Sequence, residues 1–351
     1  MSSPSALAPL GLLYGAVIRA RLALYGIGAL RVERMSAPVI SVGNITTGGT
    51  GKTPLVEWLA RAVAREGRRV CILTRGYGRA DAAMRVVVSD GERLLAGARE
   101  GGDEPRLLAE SLVGVAAVVC DRNRVAGARW AIENLGTEVF VLDDAFQHLR
   151  IARDLDIVTI DASDPWGGGR LLPGGRLREP TGGLRRADCI IITRADLAHD
   201  LEALKAEAAR LSEGRAVVHT SRVRTLRTRP FNSSAQGAES TGGSLTQRVA
   251  AFCAIGNPQA FFAHLRRDDG HTLCYTRAFA DHHRFTQGEL DAVSREAERH
   301  GARALLTTAK DAVKLDELRV SLPLYVVEIG LEFDDESGML SAVREAIDRR
   351  A

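Results

Sequence analysis

From Ala37 onward the chain alternates short apolar runs with segments whose apolar positions recur at helical spacing. "PVISVG" (38–43), "RVCILT" (69–74), "VAAVVC" (115–120), "EVFVLDD" (138–144), "LDIVTID" (155–161) and "CIIITRAD" (189–196) read as strands. Between them, Pro54–Glu66 places Leu55, Leu59 and Val63 on one helical face, and Glu104–Leu112 and Arg124–Leu135 follow the same period. Pro54 suits a first helical turn, where a missing N–H costs nothing. Strands apolar on both sides, separated by helices, predict an α/β fold with a mainly parallel sheet covered on both faces.

The pattern breaks after "RAVVHTSRVRTLRTRP" (215–230), where "FNSSAQGAESTGGSLTQ" (231–247) has no periodicity and reads as a linker or surface insertion. Strand and helix signals then resume: "RVAAFCAIG", "NPQAFFAHLRR", "HTLCYTRAF", Gln287–His300, "ARALLTT" and "LYVVEIG". The expected organisation is an N-terminal helix (1–35), a larger α/β domain (36–228), a linker (229–247) and a smaller C-terminal α/β domain (248–351).

The N-terminal segment has a different pattern. It is apolar from Ala6 to Ile18, and Arg19 and Arg21 then interrupt it. About 20 apolar residues are needed to cross a bilayer, so this run is too short. Leu10, Leu13, Tyr14 and Val17 share a helical face, and Arg19, Arg21, Arg31 and Arg34 add positive charge. The segment reads either as an interfacial helix on an anionic membrane surface or as a helix packed on the domain.

Composition narrows the classes. With 351 residues and 45% hydrophobic content there is material for two domain cores. A formal net charge of +3 gives no reason to expect a nucleic-acid partner. The five cysteines are scattered, so buried free thiols in a reducing cytoplasm are expected. Lysine occurs only at Lys52, Lys205, Lys310 and Lys314 in a chain otherwise rich in arginine, which hints at roles needing a compact point charge.

One such role is in "SVGNITTGGTGKTP", where a strand, a glycine-rich turn and a helix beginning Lys-Thr give the setting of a phosphate-binding loop. Thr46 stands where the first glycine of the usual pattern falls, while Gly48 and Gly49 keep the turn flexible. The nucleotide-binding residues are then Thr47, Gly48, Gly49, Thr50, Gly51, Lys52 and Thr53, with backbone amides around the β-phosphate and Lys52 on the β- and γ-phosphates. The Thr53 hydroxyl would bind Mg²⁺, with Asp143 and Asp144 at the end of "VFVLDD" as the acidic partners. An acid at a strand end is otherwise a turn or helix cap.

Several further stretches are too polar for strand-edge scaffolding: "TRGYGR" (74–79), "GGDEP" (101–105), "FQHL" (146–149), "GRLLPGGRLREP" (169–180) and "FADHHRF" (279–285). Together with "IGNPQAFF" and "TTAKDAVK" they resemble the tetraacyldisaccharide 4'-kinases, the lipid A 4'-kinases of Gram-negative bacteria, nearly end to end. The resemblance implies a P-loop NTPase-like fold and ATP with Mg²⁺. The acceptor it implies is the lipid A precursor, a tetraacylated glucosamine disaccharide 1-phosphate, phosphorylated on its 4'-hydroxyl. The family's catalytic Asp–His pair falls on Asp103 and His282, with Lys52 as the phosphate lysine. Either Asp103 takes the hydroxyl proton and His282 orients it, or the reverse; without the resemblance Asp103 is a helix N-cap and His282 a polar loop residue. Arg75, Arg79 and Arg178 become candidates for phosphate contacts, and Tyr77, Gln147, His148 and Glu179 for nucleotide or sugar contacts.

Ala145, Ala254, Ala280 and Ala309 depart from the family pattern, in loop geometry rather than chemistry. An acceptor with four acyl chains implies work at the cytoplasmic face of the inner membrane without an obligate protein partner, and gives the N-terminal helix a purpose. The competing reading is a membrane-recruited P-loop ATPase switch, but the extra lysine of such switches is replaced here by Thr47.

Overall fold

The computed structural model describes residues 8–231, 248–267, 269–315 and 318–350; the expected linker thus lies almost wholly outside the described residues. The chain divides into two units, 1–222 with 331–351, and 223–330.

The first unit is organised on β1 (Val39–Asn44), all six residues of which are buried. α1 (Ala8–Gly26) precedes it, and α2 (Lys52–Arg65), β2 (Val70–Thr74) and β3 (Val86–Ser89) follow. Next come α3 (Ala98–Gly101), α4 (Asp103–Ser111), β4 (Ala116–Cys120), α5 (Arg124–Leu135), β5 (Val139–Leu142), β6 (Leu155–Asp161), β7 (Cys189–Thr193) and α6 (Leu201–Leu211). The strand order is β7-β6-β1-β5-β2-β4-β3, and the start of β8 (Val217–Pro230) pairs beyond β7. Pairing is parallel throughout, except where β3 runs antiparallel to β4.

Alternate residues of each strand face opposite sides of the sheet, which is why these strands read as continuously apolar. Ile40, Val42, Ile72, Val118 and Val141 pack under α2 and α4 through Leu55, Leu59 and Leu108. Val39, Cys71, Leu73, Val119 and Phe140 pack on the other face against Val125, Ala128 and Ala131 of α5. Asn123 caps α5, its side chain accepting from the Ala126 amide at 3.3 Å, and Gly136 ends the helix in the left-handed conformation.

The second unit holds β9 (Val249–Cys253), α7 (Pro258–Arg267), β10 (Leu273–Ala278), α8 (Gln287–Arg299), β11 (Ala304–Thr308), α9 (Ala309–Ala312) and most of β12 (Leu324–Phe333). Its strands run β10-β9-β11-β12, all parallel. α10 (Glu336–Asp348) then returns to the first unit, where Met339, Val343 and Ile347 join the core beneath α2. Residues 331–351, grouped with the smaller domain on sequence order, therefore belong to the first unit. Their apolar stripe has a buried surface to cover there.

Candidate active site

At the carboxyl edge of the first unit, β1 continues into the glycine-rich loop and then α2. Parallel sheets leave their ligand crevices at this edge, and the neighbours of β1 are β5, which ends in the acidic pair, and β6. Gly51 caps α2 with φ 81, a left-handed conformation that disfavours any side chain, and no side chain caps the helix. The first amides of α2 are thus left for an anion.

The loop is braced through its carbonyls. Arg176 donates to the Thr47 carbonyl from Nε at 3.1 Å and Nη2 at 2.8 Å, and the Thr47 amide donates to the Arg176 carbonyl at 2.7 Å. Arg194 donates to the Gly49 carbonyl at 3.0 Å and pairs with Asp161, and the Thr193 hydroxyl donates to the Thr50 carbonyl at 3.0 Å. The Thr50 hydroxyl meets Asn44 Nδ2 at 2.9 Å and the Thr159 hydroxyl at 2.8 Å. Thr46 makes an antiparallel bridge with Leu177. A β-branched residue suits an extended position, which accounts for threonine where the usual pattern has glycine.

Lys52 and the acids lie together. Lys52 Nζ is 3.6 Å from Asp144 Oδ1, and Arg178 Nη1 is 2.7 Å from the same oxygen. Burial pushes Asp144 upward, but Lys52 and Arg178 outweigh it and hold the carboxyl below its ordinary value. Asp144 also adopts φ 48, a left-handed conformation costly for a residue with a side chain. Asp143 is buried and accepts from the Thr74 hydroxyl at 3.0 Å. Burial, with the charges of Glu104 and Asp144, raises its pKa to about 6. Arg124 is buried beside them and donates to the Asp143 carbonyl at 2.9 Å, while its Nε has no hydrogen-bond partner. Thr53 is half-buried in the first turn of α2.

Asp103 begins α4, and the N-cap is Gly102, so Asp103 is a first-turn residue and not the cap that residue type alone suggests. Gly102 has φ 98, and an added Cβ would lie 2.7 Å from the Tyr77 carbonyl. "TRGYGR" and "GGDEP" therefore meet only because no side chain intervenes. Arg75 and Tyr77 are exposed there, the guanidinium 5.5 Å from the ring centroid. Arg79 is buried inside the loop and donates to the carbonyls of Cys120 at 3.3 Å and Ala82 at 2.8 Å.

Gln147 donates from Nε2 to the Asn44 carbonyl at 2.8 Å and to Glu179 at 2.7 Å. Glu179, 1% exposed, also binds Arg186 through both oxygens, so it holds the "LREP" loop against β1. His148 is half-buried, and burial with the charges of Arg124, Arg153, Arg21 and Arg150 drives its pKa down to about 3. Helix α1 reaches this group: the Tyr14 hydroxyl donates to the Arg178 carbonyl at 2.7 Å, and Arg21 donates to the Gln147 carbonyl at 3.0 Å. Its buried positions are Gly11 and Gly15, beside Leu171, while Leu10, Leu12, Leu13 and Val17 are exposed.

His282 lies in the second unit with φ 59, beside Asp281 and Lys310. The sequence motifs thus mark the P-loop, the acidic pair and Arg178 as one cluster. The sequence reading did not single out Arg124, Arg176, Arg194 or Lys310 as site residues. Arg176, Arg194 and Lys310 stand inside quoted motifs; Arg124 had no signal beyond its place at a helix start.

The sequence model of the tetraacyldisaccharide-1-P 4'-kinase family matches residues 4–348. A tetraacyldisaccharide 4'-kinase of Anaeromyxobacter dehalogenans is 48% identical over 298 residues, 84% of this chain and 77% of that protein. The one of Geobacter metallireducens is 37% identical over 342 residues, 97% of each chain. Among solved structures, the "apo" form of LpxK from Aquifex aeolicus in complex with ATP superposes with a TM-score of 0.76 at 29% identity, covering 98% of this chain and 99% of that one. With the braced P-loop, the acidic pair and the family motifs in their places, the chain belongs to the tetraacyldisaccharide-1-phosphate 4'-kinase family.

Proposed function

We propose that the P-loop edge of the first unit binds ATP and aims its γ-phosphoryl group at the 4'-hydroxyl of a tetraacyldisaccharide 1-phosphate. The observation that carries this reading is the cluster of Lys52, Asp144 and Arg178 beside an uncapped helix N-terminus. Phosphoryl transfer has a loose transition state, so alignment and charge neutralisation matter more than activation of the nucleophile. Lys52 and the α2 amides neutralise phosphate charge, and the carbonyl braces from Arg176 and Arg194 keep those amides aimed.

The donor set also fits Mg²⁺. Thr53, Asp143 and Asp144 offer hard oxygen ligands, and Asp143 is a buried carboxylate that forms no ion pair among the described residues. When bound, Mg²⁺ supplies positive charge to the β- and γ-phosphoryl oxygens. Asp103 and His282 are the pair that handles the acceptor's proton. Arg75 and Tyr77, exposed at the end of β2, are available to the acceptor. Arg79 and Glu179 serve by holding loops in shape.

The membrane surface is the place of reaction, at the cytoplasmic face of the inner membrane. No helix among the described residues is long and apolar enough to cross a membrane. α1 instead presents Leu10, Leu13 and Val17, 52%, 63% and 57% exposed, with Arg19 close by. Four acyl chains do not leave a bilayer readily, since each buried CH₂ is worth about 0.8 kcal/mol.

The test is transfer from labelled ATP to the disaccharide lipid, with mass analysis of the product. The expected product is the lipid heavier by one phosphate, and Asp103→Ala is expected to lower turnover roughly a hundredfold with ATP binding retained. ATP hydrolysis that proceeds equally without lipid, with no phosphorylated lipid formed, sinks the kinase reading in favour of an ATPase switch.

A further inference from the structure

The loop carrying His282 is anchored on both sides of that residue. Phe279 stacks on His283 with centroids 5.0 Å apart, and Phe285 meets both rings edge-on at 5.2 and 5.5 Å. Phe285 is buried against Phe252, and His283 Nε2 lies 3.0 Å from Glu289, which also closes the capping box at the start of α8. Ala280, Asp281 and His282 are exposed between these anchors. His282 has φ 59, a backbone conformation that costs on the order of 1 kcal/mol or more and persists only where neighbours impose it.

Lys310 comes to Asp281 and His282 from α9, and its own position is fixed. The next residue, Asp311, is fully buried. It accepts from the Ala254 amide at 2.9 Å and the Thr308 hydroxyl at 2.8 Å, and pairs with Lys314 at 2.7 Å. Ala254 and Ala309 depart from the family pattern without disturbing this arrangement, since the Ala254 contact uses a backbone amide. From this base Lys310 Nζ lies 3.2 Å from Asp281 Oδ1 and 3.4 Å from His282 Nε2.

We infer that Lys310, steadied by Asp281, is a positioning residue that holds His282 as the neutral ring with its proton on Nδ1. An ammonium group has three donors and no acceptor, so the ring nitrogen facing it must be the unprotonated one. Lysine presents a compact charge to that nitrogen, where arginine would present a planar fork of donors. Such a ring donates from Nδ1, and its Nε2 lone pair is engaged. Its bearing on turnover rests on the reading that His282 acts at the transfer site.

The experiment is ¹⁵N spectroscopy of the histidine ring nitrogens in the full-length protein at pH 8, with the His282 signals assigned by their loss in His282→Asn. The expected wild-type spectrum has an unprotonated Nε2 and a protonated Nδ1. Lys310→Met should shift His282 toward the Nε2–H form and lower kcat about tenfold, with KM for ATP within about twofold; Lys310→Arg should restore neither. A wild-type ring protonated on Nε2 overturns the assignment, whether or not Lys310→Met folds. An unchanged tautomer in folded Lys310→Met overturns it as well. If the tautomer behaves as expected while His282→Asn transfers phosphate at the wild-type rate, it is the catalytic role of His282 that fails.

Discussion

The P-loop edge and helix α1 belong to the same unit and touch each other, yet they are built on opposite plans. At the P-loop, arginines hold backbone carbonyls, threonines hold each other, and Asp144 is shared between Lys52 and Arg178. Along α1, attachment includes two glycines, one tyrosine hydroxyl and one arginine, while Leu10, Leu12, Leu13 and Val17 face outward. The first region is held rigid against the concentrated negative charge of a triphosphate, which would otherwise pull a flexible loop out of aim. The second exposes apolar surface that no described part of the chain covers, which is the surface the proposed lipid contact would use. Under the proposed function, shape at one end and adhesion at the other would be the two needs of an enzyme whose acceptor is a lipid.

The sharpest way to break the comparison is to remove charge from the rigid end. Lys52→Ala leaves Asp144 with Arg178 alone and takes the lysine from the phosphates. Transfer is expected to fall roughly a thousandfold, measured as phosphorylated lipid per unit time. Near wild-type turnover would mean that the α2 amides suffice. Next comes the brace. Arg176→Ala removes both donors from the Thr47 carbonyl, together with the pair to Asp164, so KM for ATP is expected to rise about tenfold with the fold retained. An unchanged KM would show that the bridge between Thr46 and Leu177 already fixes the loop.

The adhesive end predicts a different signature. Replacing Leu10, Leu13 and Val17 together by glutamate puts charge on the exposed face and spares Gly11, Tyr14, Gly15 and Arg21. Partitioning onto anionic vesicles is expected to drop about tenfold, while the affinity for ATP, measured without lipid, stays as in the wild type. Loss of ATP affinity in that variant would show that the helix holds the P-loop edge in shape and is no mere anchor.

Much of the rigid end could be read from sequence because it follows local rules. A buried strand, a glycine turn and a lysine at a helix start are adjacent in the chain, and Asp143 and Asp144 stand directly after a strand whose place in a parallel sheet is next door. What could not be read is what the side chains do across distance. Arg79 and Glu179 carry motif positions but spend their charges on carbonyls and on Arg186, and only the packing of residues far apart reveals it. The return of α10 to the first unit was hidden for the same reason, since its apolar stripe is compatible with either core. The amphipathic reading of α1 placed Tyr14 with Leu10, Leu13 and Val17, whereas packing turns it inward to the Arg178 carbonyl. Both glycines on its buried side are small enough to admit Leu171.

The smallest expected effect lies where the two regions meet, at His148. Burial and the charges of Arg124, Arg153, Arg21 and Arg150 keep its ring neutral down to about pH 3, and Arg21 among them comes from α1. An unfolded chain protonates a histidine near pH 6.5. Below that pH the unfolded state therefore binds a proton that the native state refuses, and stability must fall as pH falls, until the folded pKa is reached. At pH 5.5 the loss from this one group is about 1 kcal/mol, a shift in Tm of a few degrees at most for a chain of this size. His148→Gln keeps a polar side chain of similar reach and has no proton to take up. Its Tm should accordingly drop less than that of the wild type between pH 7.5 and 5.5. Parallel pH profiles for the two proteins would mean that His148 titrates as if in water, and that Arg21 does not bring the charge of α1 to the rigid end.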